Sequence, residues 1–296
     1  MTKKLLAILM ALALVLSFAA CGSTTDDETT TAEETTEEVI TEEETEEETE
    51  APESTEADET TEAVTDENGE TVTDEAETEA EEVKAPETKA EIIEYYNTAI
   101  NNVKPSAKSI TVKSVENKPA GNVEGLPSTL SKIADSVISG NTGVDEDASN
   151  KTYTSAADKK ANFPVENETW SSKLTEADIK SATIKESNGK YTITLVTVAD
   201  AKSTNVVHGT GHAPKAFNVI MPSVINDNVP SAVAKMFSVG TAALNYPSST
   251  ITAVIDAETG NVESATFDLL WTMNIPLGSS TVVIPFETIS KYTIAW

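Results

Sequence analysis

Residues 22–90 most constrain what this chain can fold into, because they contain 29 acidic residues and only two lysines, Lys84 and Lys89. Threonine and alanine make up most of the remainder, and no apolar repeat of 3.6 or 2 residues occurs in the segment. A segment of this kind buries too little apolar surface to offset the entropy lost on ordering. We therefore predict a disordered acidic linker over residues 22–90, which separates residues 1–21 from residues 91–296.

Residues 1–21 have the composition of an export signal. Lys3 and Lys4 precede a run of sixteen residues, Leu5–Ala20, in which Ser17 is the only polar side chain. This run is shorter than the roughly 20 apolar residues that are needed to span a bilayer. It ends at Cys21, the only cysteine of the chain. Because an exported domain that depended on disulfides would carry an even number of cysteines, a chemical role is favoured for Cys21.

The stretch Leu16–Cys21 resembles the lipobox of bacterial lipoproteins. Ala19 and Ala20 match the small residues that precede the modified cysteine, whereas Phe18 stands where the family usually has leucine. The resemblance implies cleavage before Cys21 and a diacylglycerol on its sulfur. The protein would then be extracytoplasmic, anchored to the cell membrane, and held at or through the cell wall by the linker. The alternatives are an uncleaved membrane anchor and an ordinary secretory cleavage.

Residues 91–296 are close to neutral by comparison with the linker. Their 21 acidic residues and 16 lysines give a net charge of −5, and the chain contains no arginine. The longest basic run is Lys159-Lys160. This distribution disfavours nucleic acid as a partner, and it disfavours arginine clamps on phosphate or carboxylate groups.

The apolar patterns of residues 91–296 predict one α+β domain, with an antiparallel sheet of about six strands and about three helices covering one face. In residues 262–275 the apolar positions alternate with polar ones, as expected for a strand that is buried on one side. Lys104-Pro105 is predicted to end the first helix. The predicted helices cover residues 91–103, 128–139 and 228–239, and the predicted strands cover residues 110–115, 181–187, 190–199, 250–256, 262–275 and 281–296.

Three local motifs refine this prediction. Asn188-Gly189 between two β-rich runs indicates a hairpin with a type I′ turn. Thr175 and Asp178 form a capping box for a short helix. Residues 141–173 are predicted to be the loosest part of the domain, with the acids at 145–147 solvated because the segment lacks the glycine and glutamate of a calcium loop.

The only two histidines lie in the sequence His208-Gly209-Thr210-Gly211-His212. The two glycines argue against a helix that would place both imidazoles on one face. Two interpretations remain open: a mobile surface loop, or a metal site completed by Asp200 or another carboxylate.

An N-terminal helix followed by a long antiparallel sheet in a lipoprotein is similar to the lipoprotein carriers of the LolA type. That resemblance implies an apolar ligand such as an acyl chain. We expect a non-enzymatic binding or accessory module without a cofactor, whose small-molecule, lipid or cell-wall ligand lies between sheet and helices or on the exposed sheet face. The alternatives are a structural or cell-wall spacer protein and a metal-dependent hydrolase that uses His208 and His212. The aromatic residues most able to contact a ligand are Trp170, Phe217, Trp271 and Trp296.

Overall fold

The computed structural model describes residues 85–126, 128–229, 234–235 and 238–296, which all belong to one compact unit. The export signal, the lipobox with Cys21, and residues 22–84 of the linker lie outside the described residues and stay predictions. The described chain is α+β with a large antiparallel sheet, as predicted. The sheet has ten strands, however, so the expected number of about six is wrong.

The described part of the chain contains five α-helices, two short 3₁₀ turns and the ten strands. The helices are α1 (Lys89–Asn101), α2 (Val103–Ser106), α3 (Ser128–Asn141), α4 (Ala156–Asn162) and α5 (Pro222–Asp227), and the 3₁₀ turns are Glu176–Asp178 and Ala213–Lys215. The strands are β1 (Ser109–Pro119), β2 (Gly143–Val144), β3 (Lys151–Tyr153), β4 (Ile179–Ser187), β5 (Lys190–Thr197), β6 (Asp200–Ser203), β7 (Ala243–Tyr246), β8 (Thr250–Asp256), β9 (Val262–Leu277) and β10 (Ser280–Ala295).

All strand pairs of the sheet are antiparallel, and the main order is β2-β1-β10-β9-β8-β5-β4. Strand β3 pairs with β1, β7 pairs with β9, and β6 pairs with β7. The two sixteen-residue strands β9 and β10 lie at the centre, so residues from the N-terminal strand β1 and the C-terminal strand β10 meet side by side.

Helix α1 begins two residues before the predicted start because Thr88 caps it. The Glu91 backbone N–H donates to Thr88 Oγ1 (3.2 Å), and the Thr88 N–H donates to Glu91 Oε2 (2.8 Å). This reciprocal pair satisfies two backbone donors of the first turn. Helix α1 ends at Asn101, so the prediction that Lys104-Pro105 ends it is wrong. Pro105 lies in the first turn of the separate helix α2, where its missing N–H would have no helical partner.

The predicted β9 pattern and the predicted hairpin are both confirmed. The six alternate β9 side chains of one face are all at most 5% exposed, and they are Ala265, Phe267, Leu269, Trp271, Met273 and Ile275. Strands β4 and β5 are joined by Asn188 (φ 54°) and Gly189 (φ 72°), the two positive φ angles that a type I′ turn requires.

Two predicted segments differ from the structure. Residues 141–173 contain β2, β3 and α4 in place of one loose stretch, because the strands pair with β1 across large sequence separations that local patterns do not reveal. The helix predicted over residues 228–239 is wrong at its start. Helix α5 occupies residues 222–227 instead, with Pro222 in its first turn, where its fixed φ favours the helix. Of the segment that follows, residues 234–235 are helical and residues 230–233 and 236–237 lie outside the described residues.

Aromatic side chains form the centre of the core beneath β9 and β10. Phe163 contacts Tyr292 edge-to-face with ring centroids 5.1 Å apart, and Phe267 makes edge-to-face contacts with Phe163, Phe217 and Tyr292 at 5.8–6.2 Å. Edge-to-face pairs of this kind add about 0.5–1.5 kcal/mol beyond the burial of their area. The cluster fixes the inner face of the sheet on which the candidate site is built.

Candidate functional site

A cleft of about 410 Å³ lies between the inner face of the sheet and the segments that follow β2 and β3. Its floor comes from the inward-facing residues of β1, β9 and β10, and its walls come from residues 145–148, 162–166 and 218–220. The volume lies within the range of about 300–1,000 Å³ that is usual for small-molecule sites. The predicted ligand position was between the sheet and its helices or on the exposed sheet face, whereas most wall residues of this cleft lie outside helices.

A directional chain of hydrogen bonds crosses the floor of the cleft. Trp271 Nε1–H donates to Thr288 Oγ1 (3.1 Å), and the Thr288 hydroxyl in turn donates to Asn117 Oδ1 (2.8 Å). The indole ring is stacked on Phe286 with centroids 4.5 Å apart. The chain fixes the orientation of the Asn117 carboxamide, since its oxygen is the end acceptor. Its Nδ2 group has no protein acceptor among the described residues.

Tyr292 closes the floor beside this chain. Burial raises the pKa of its phenol far above the ordinary value, and the carboxylate of Glu166 acts in the same direction. The hydroxyl therefore stays protonated at any physiological pH, so Tyr292 presents a neutral group to the cleft.

The loop after β2 forms one wall and depends on Asp145. This side chain is only 4% exposed, and its Oδ1 accepts hydrogen bonds from the backbone N–H groups of Asp147 (3.1 Å) and Ala148 (3.2 Å). The Asp145 N–H donates to the Val115 carbonyl, and Ser149 Oγ accepts from the Val115 N–H. The expectation that the acids at 145–147 are solvated is therefore wrong for Asp145, because its carboxylate closes the turn that docks on β1.

The opposite wall is organised by Lys104 of α2. The side chain is 5% exposed, and its Nζ donates to the carbonyls of Val165 (2.6 Å), Glu168 (2.9 Å) and Trp170 (2.9 Å). Burial lowers the pKa of this amine to about 8. The three bonds fix the segment that carries Glu166 at the rim of the cleft. The Glu166 backbone N–H also donates to Asn218 Oδ1 (2.8 Å), which ties the two rim residues together.

The titratable lining of the cleft is acidic apart from two tyrosines. Its charged residues are Asp145, Asp147 and Glu166, and no lysine, arginine or histidine is among the described lining residues. Three carboxamides add donors and acceptors, and they come from Asn117, Asn162 and Asn218. Such a lining repels anionic ligands and offers hydrogen bonds to neutral or cationic ones.

The four aromatic residues selected from the sequence lie in different places, and only Trp271 lines the cleft. Phe217 is 1% exposed and belongs to the core. Trp296 donates from Nε1 to the Val262 carbonyl (2.8 Å), which holds the C-terminus against β9. Trp170 is half-buried, and Lys173 Nζ lies 4.2 Å from the centre of its ring.

His212 belongs to a compact ion-pair cluster around Asp178. The Asp178 carboxylate is 2% exposed and contacts His212 Nδ1 (2.8 Å) and Lys215 Nζ (2.7 and 2.9 Å). It also accepts from the Thr175 N–H and hydroxyl, which confirms the predicted capping box. Burial alone would raise the pKa of this carboxyl, but the hydrogen bonds from Lys215, Thr175 and His212 lower it to about 2. The cluster therefore anchors the histidine-containing loop to the start of β4.

His208 and His212 have different partners. His208 Nδ1 lies 4.0 Å from Glu168 Oε1, and burial lowers the pKa of this imidazole. Asp200, the carboxylate considered as a third metal ligand, accepts from the N–H groups of His212 (2.7 Å) and Ala213 (2.8 Å). A Cβ at Gly211 would lie 2.7 Å from Asp200 Oδ1, so this close approach requires glycine. The described residues contain no group of three His, Cys, Asp or Glu side chains that could hold a metal.

Several cleft residues were missed at the sequence level. Thr288 and Ser290 occupy inward-facing positions of β10, and Asn117 occupies one of β1, where apolar side chains are the rule. A polar residue at an inward position of a long strand was the available signal. Glu166 and Asn218 lie outside helices and strands, and no sequence pattern marks them.

The predicted lipid anchor, Phe18–Cys21, is not part of the described structure. Of the helices that are described, none has the length and apolar character needed to cross a bilayer. Comparisons with protein-family models, with curated proteins and with solved structures found no match.

Proposed function

We propose that this chain is an extracytoplasmic lipoprotein that binds a small polar ligand without catalysing a reaction. In this proposal a lipid on Cys21 anchors the protein to the membrane, and the acidic linker carries the binding domain away from it. The contour length of the 69-residue linker is roughly 230 Å, which is long enough to reach through or beyond a cell wall.

The observation that carries the binding role is the cleft beneath β9 and β10. It combines an ordered floor, in which the Trp271 and Thr288 side chains are fixed by hydrogen bonds, with polar walls built on Asp145 and Lys104. A site that binds its ligand tightly benefits from groups already held in place, because less entropy is then lost on binding.

The non-enzymatic part of the proposal is supported by where the reactive side chains lie. The imidazoles of His208 and His212 are outside the lining of the cleft, and the Asp178 carboxylate is fully used by its ion pair and hydrogen bonds. Among the described lining residues, no hydroxyl is paired with a histidine that could act as its general base.

A thermal-shift screen of the full-length protein against small polar compounds tests the proposal. At a concentration of about 100 times Kd a ligand contributes about 2.7 kcal/mol, which for a domain of this size raises Tm by about 5–10 °C. Ala148→Phe places a ring in the cleft and is expected to abolish the shift, whereas Ala201→Phe on the exposed surface of β6 is the matched control. If the ligand-induced shift survives in Ala148→Phe, the cleft is not the binding site. If no compound of any class shifts Tm, the spacer interpretation replaces the binding role.

A further inference from the structure

We propose that the ligand of the cleft is a neutral saccharide, recognised by the carboxamides of Asn117 and Asn218 and by the carboxylate of Glu166. This inference rests on the proposed binding function and adds the chemical class of the ligand. Three features of the lining support it: its charge, its hydrogen-bonding capacity and the nature of its floor.

The charge of the lining argues against an anionic ligand and against a lipid. The charged lining residues described are all acidic, so a phosphate or carboxylate ligand would meet negative charge from residues 145–148 and from Glu166. An acyl chain would cover the Nδ2 groups of Asn117 and Asn218, which have no acceptor among the described residues, and a donor buried without a hydrogen bond is strongly unfavourable.

The carboxamides distinguish a saccharide from an organic cation. The Asn117 oxygen accepts from Thr288 and the Asn218 oxygen accepts from the Glu166 N–H. Each side chain therefore has its Nδ2 donor left for the ligand, with no protein acceptor among the described residues. An ammonium group carries only donors and would leave both Nδ2 groups unpaired. A sugar hydroxyl both accepts and donates, so it pairs with an asparagine donor and with an acceptor across the cleft.

Acceptors are present on the same walls. Asn162 uses Nδ2 to donate to the Asp158 carbonyl (2.9 Å), which leaves its Oδ1 for the cleft. The Glu166 carboxylate accepts no hydrogen bond from a described side chain. Val115 and Ile220 are half-buried, and they supply apolar surface to the cleft against which the C–H groups of a sugar ring pack. The cleft thus offers donors, acceptors and apolar surface together, which matches a polyhydroxylated ring.

Two nearly isosteric substitutions test the assignment. Asn117→Asp and Asn218→Asp each keep the oxygen that accepts the internal hydrogen bond, and each replaces the Nδ2 donor by a negative oxygen. They are expected to weaken a saccharide and to strengthen an ammonium ligand. Asn261→Asp, in the turn between β8 and β9, introduces the same charge away from the cleft and serves as the control.

The measurement is isothermal titration calorimetry of the full-length protein with two sets of probes. The neutral set is glucose, N-acetylglucosamine and their β-1,4-linked disaccharides, and the cationic set is putrescine and cadaverine. We expect a neutral probe to bind, and each cleft variant to weaken it about 3- to 10-fold, as the loss of one hydrogen bond implies. Asn261→Asp is expected to leave Kd unchanged.

Other results overturn the inference in distinguishable ways. If putrescine or cadaverine binds instead and the two cleft variants bind it more tightly, the ligand is a cation, although the binding function stands. If a saccharide binds with the same Kd in both cleft variants, the carboxamides do not recognise it and the assignment fails. If neither set binds and the thermal-shift screen is also negative, the binding function fails as well.

Discussion

Replacing Lys104 with methionine is expected to lower the free energy of unfolding by about 2–4 kcal/mol. The ammonium group donates three hydrogen bonds of 2.6–2.9 Å to backbone carbonyls, and bonds to a charged group contribute about 1.5–3 kcal/mol each. Burial of the charge opposes this gain. The pKa of about 8, against an ordinary 10.5, corresponds to a cost of about 2–3 kcal/mol once solvent screening is allowed for. Methionine removes the cost of the buried charge, but it leaves three buried carbonyls without a donor, and each unpaired group costs about 1–3 kcal/mol. The net effect is therefore a loss of stability.

The same lowered pKa predicts a pH dependence of known sign. Because the folded chain binds fewer protons than the unfolded chain between pH 8 and 10.5, the contribution of Lys104 to stability rises with pH across that window. The difference in stability between the wild type and Lys104→Met should therefore increase by about 1 kcal/mol between pH 7 and pH 9. This range lies below the ordinary titration of tyrosine, so ionisation of unfolded tyrosines does not obscure it.

Urea denaturation at several pH values measures both effects. Lys108→Met is the control, because Lys108 is exposed and belongs to the same part of the chain. If Lys104→Met changes stability by less than 0.5 kcal/mol, or if its difference from the wild type falls with pH, then Lys104 does not organise the wall of the cleft as described.

Four other substitutions probe separate parts of the chain. Tyr96→Phe should leave stability unchanged or raise it by up to about 1 kcal/mol, because the buried Tyr96 hydroxyl has no hydrogen-bond partner among the described residues. Tyr246→Phe should lower stability by about 1 kcal/mol, since the Tyr246 hydroxyl donates to a backbone carbonyl at 2.7 Å. If Tyr96→Phe and Tyr246→Phe change the thermal stability equally, this distinction between the two hydroxyls is refuted. Asp178→Asn should lower the free energy of unfolding by about 2 kcal/mol at pH 7. This loss should shrink as the pH falls from 4 towards 2, because the pKa of Asp178 in the folded chain is about 2. A loss that stays constant with pH would contradict the prediction. Cys21→Ala should release the protein from the membrane fraction into the medium, and a variant that stays bound would favour an uncleaved anchor.

Local signals were sufficient for the parts of the fold that depend on neighbouring residues. The pair Asn188-Gly189 determines its hairpin because the turn needs two positive φ angles, and few residue pairs supply them. The alternation in β9 likewise specifies which side chains are buried, since a shift of one residue would place Trp271 on the polar face.

The cleft could not be predicted because its parts come from distant regions of the chain. Asn117 and Thr288 are 171 residues apart and meet only when β1 pairs with β10. Lys104 was missed as well, because its role depends on carbonyls more than 60 residues away that have no side-chain signature. The composition of the histidine loop marks it in the sequence. Its contact with Asp178 could not be predicted, because His212 and Asp178 are 34 residues apart and meet only in the folded chain.

The indole N–H signals of the protein in a ¹⁵N–¹H correlation spectrum test the central claim most directly. The chain has three tryptophans, and only Trp271 lines the cleft, with its Nε1–H held by Thr288. Single Trp→Phe variants assign the three signals. The account predicts that a bound ligand shifts the Trp271 signal and leaves the Trp296 signal, which is hydrogen-bonded to Val262, in place. Binding that shifts the Trp170 or Trp296 signal and leaves Trp271 unchanged would contradict it.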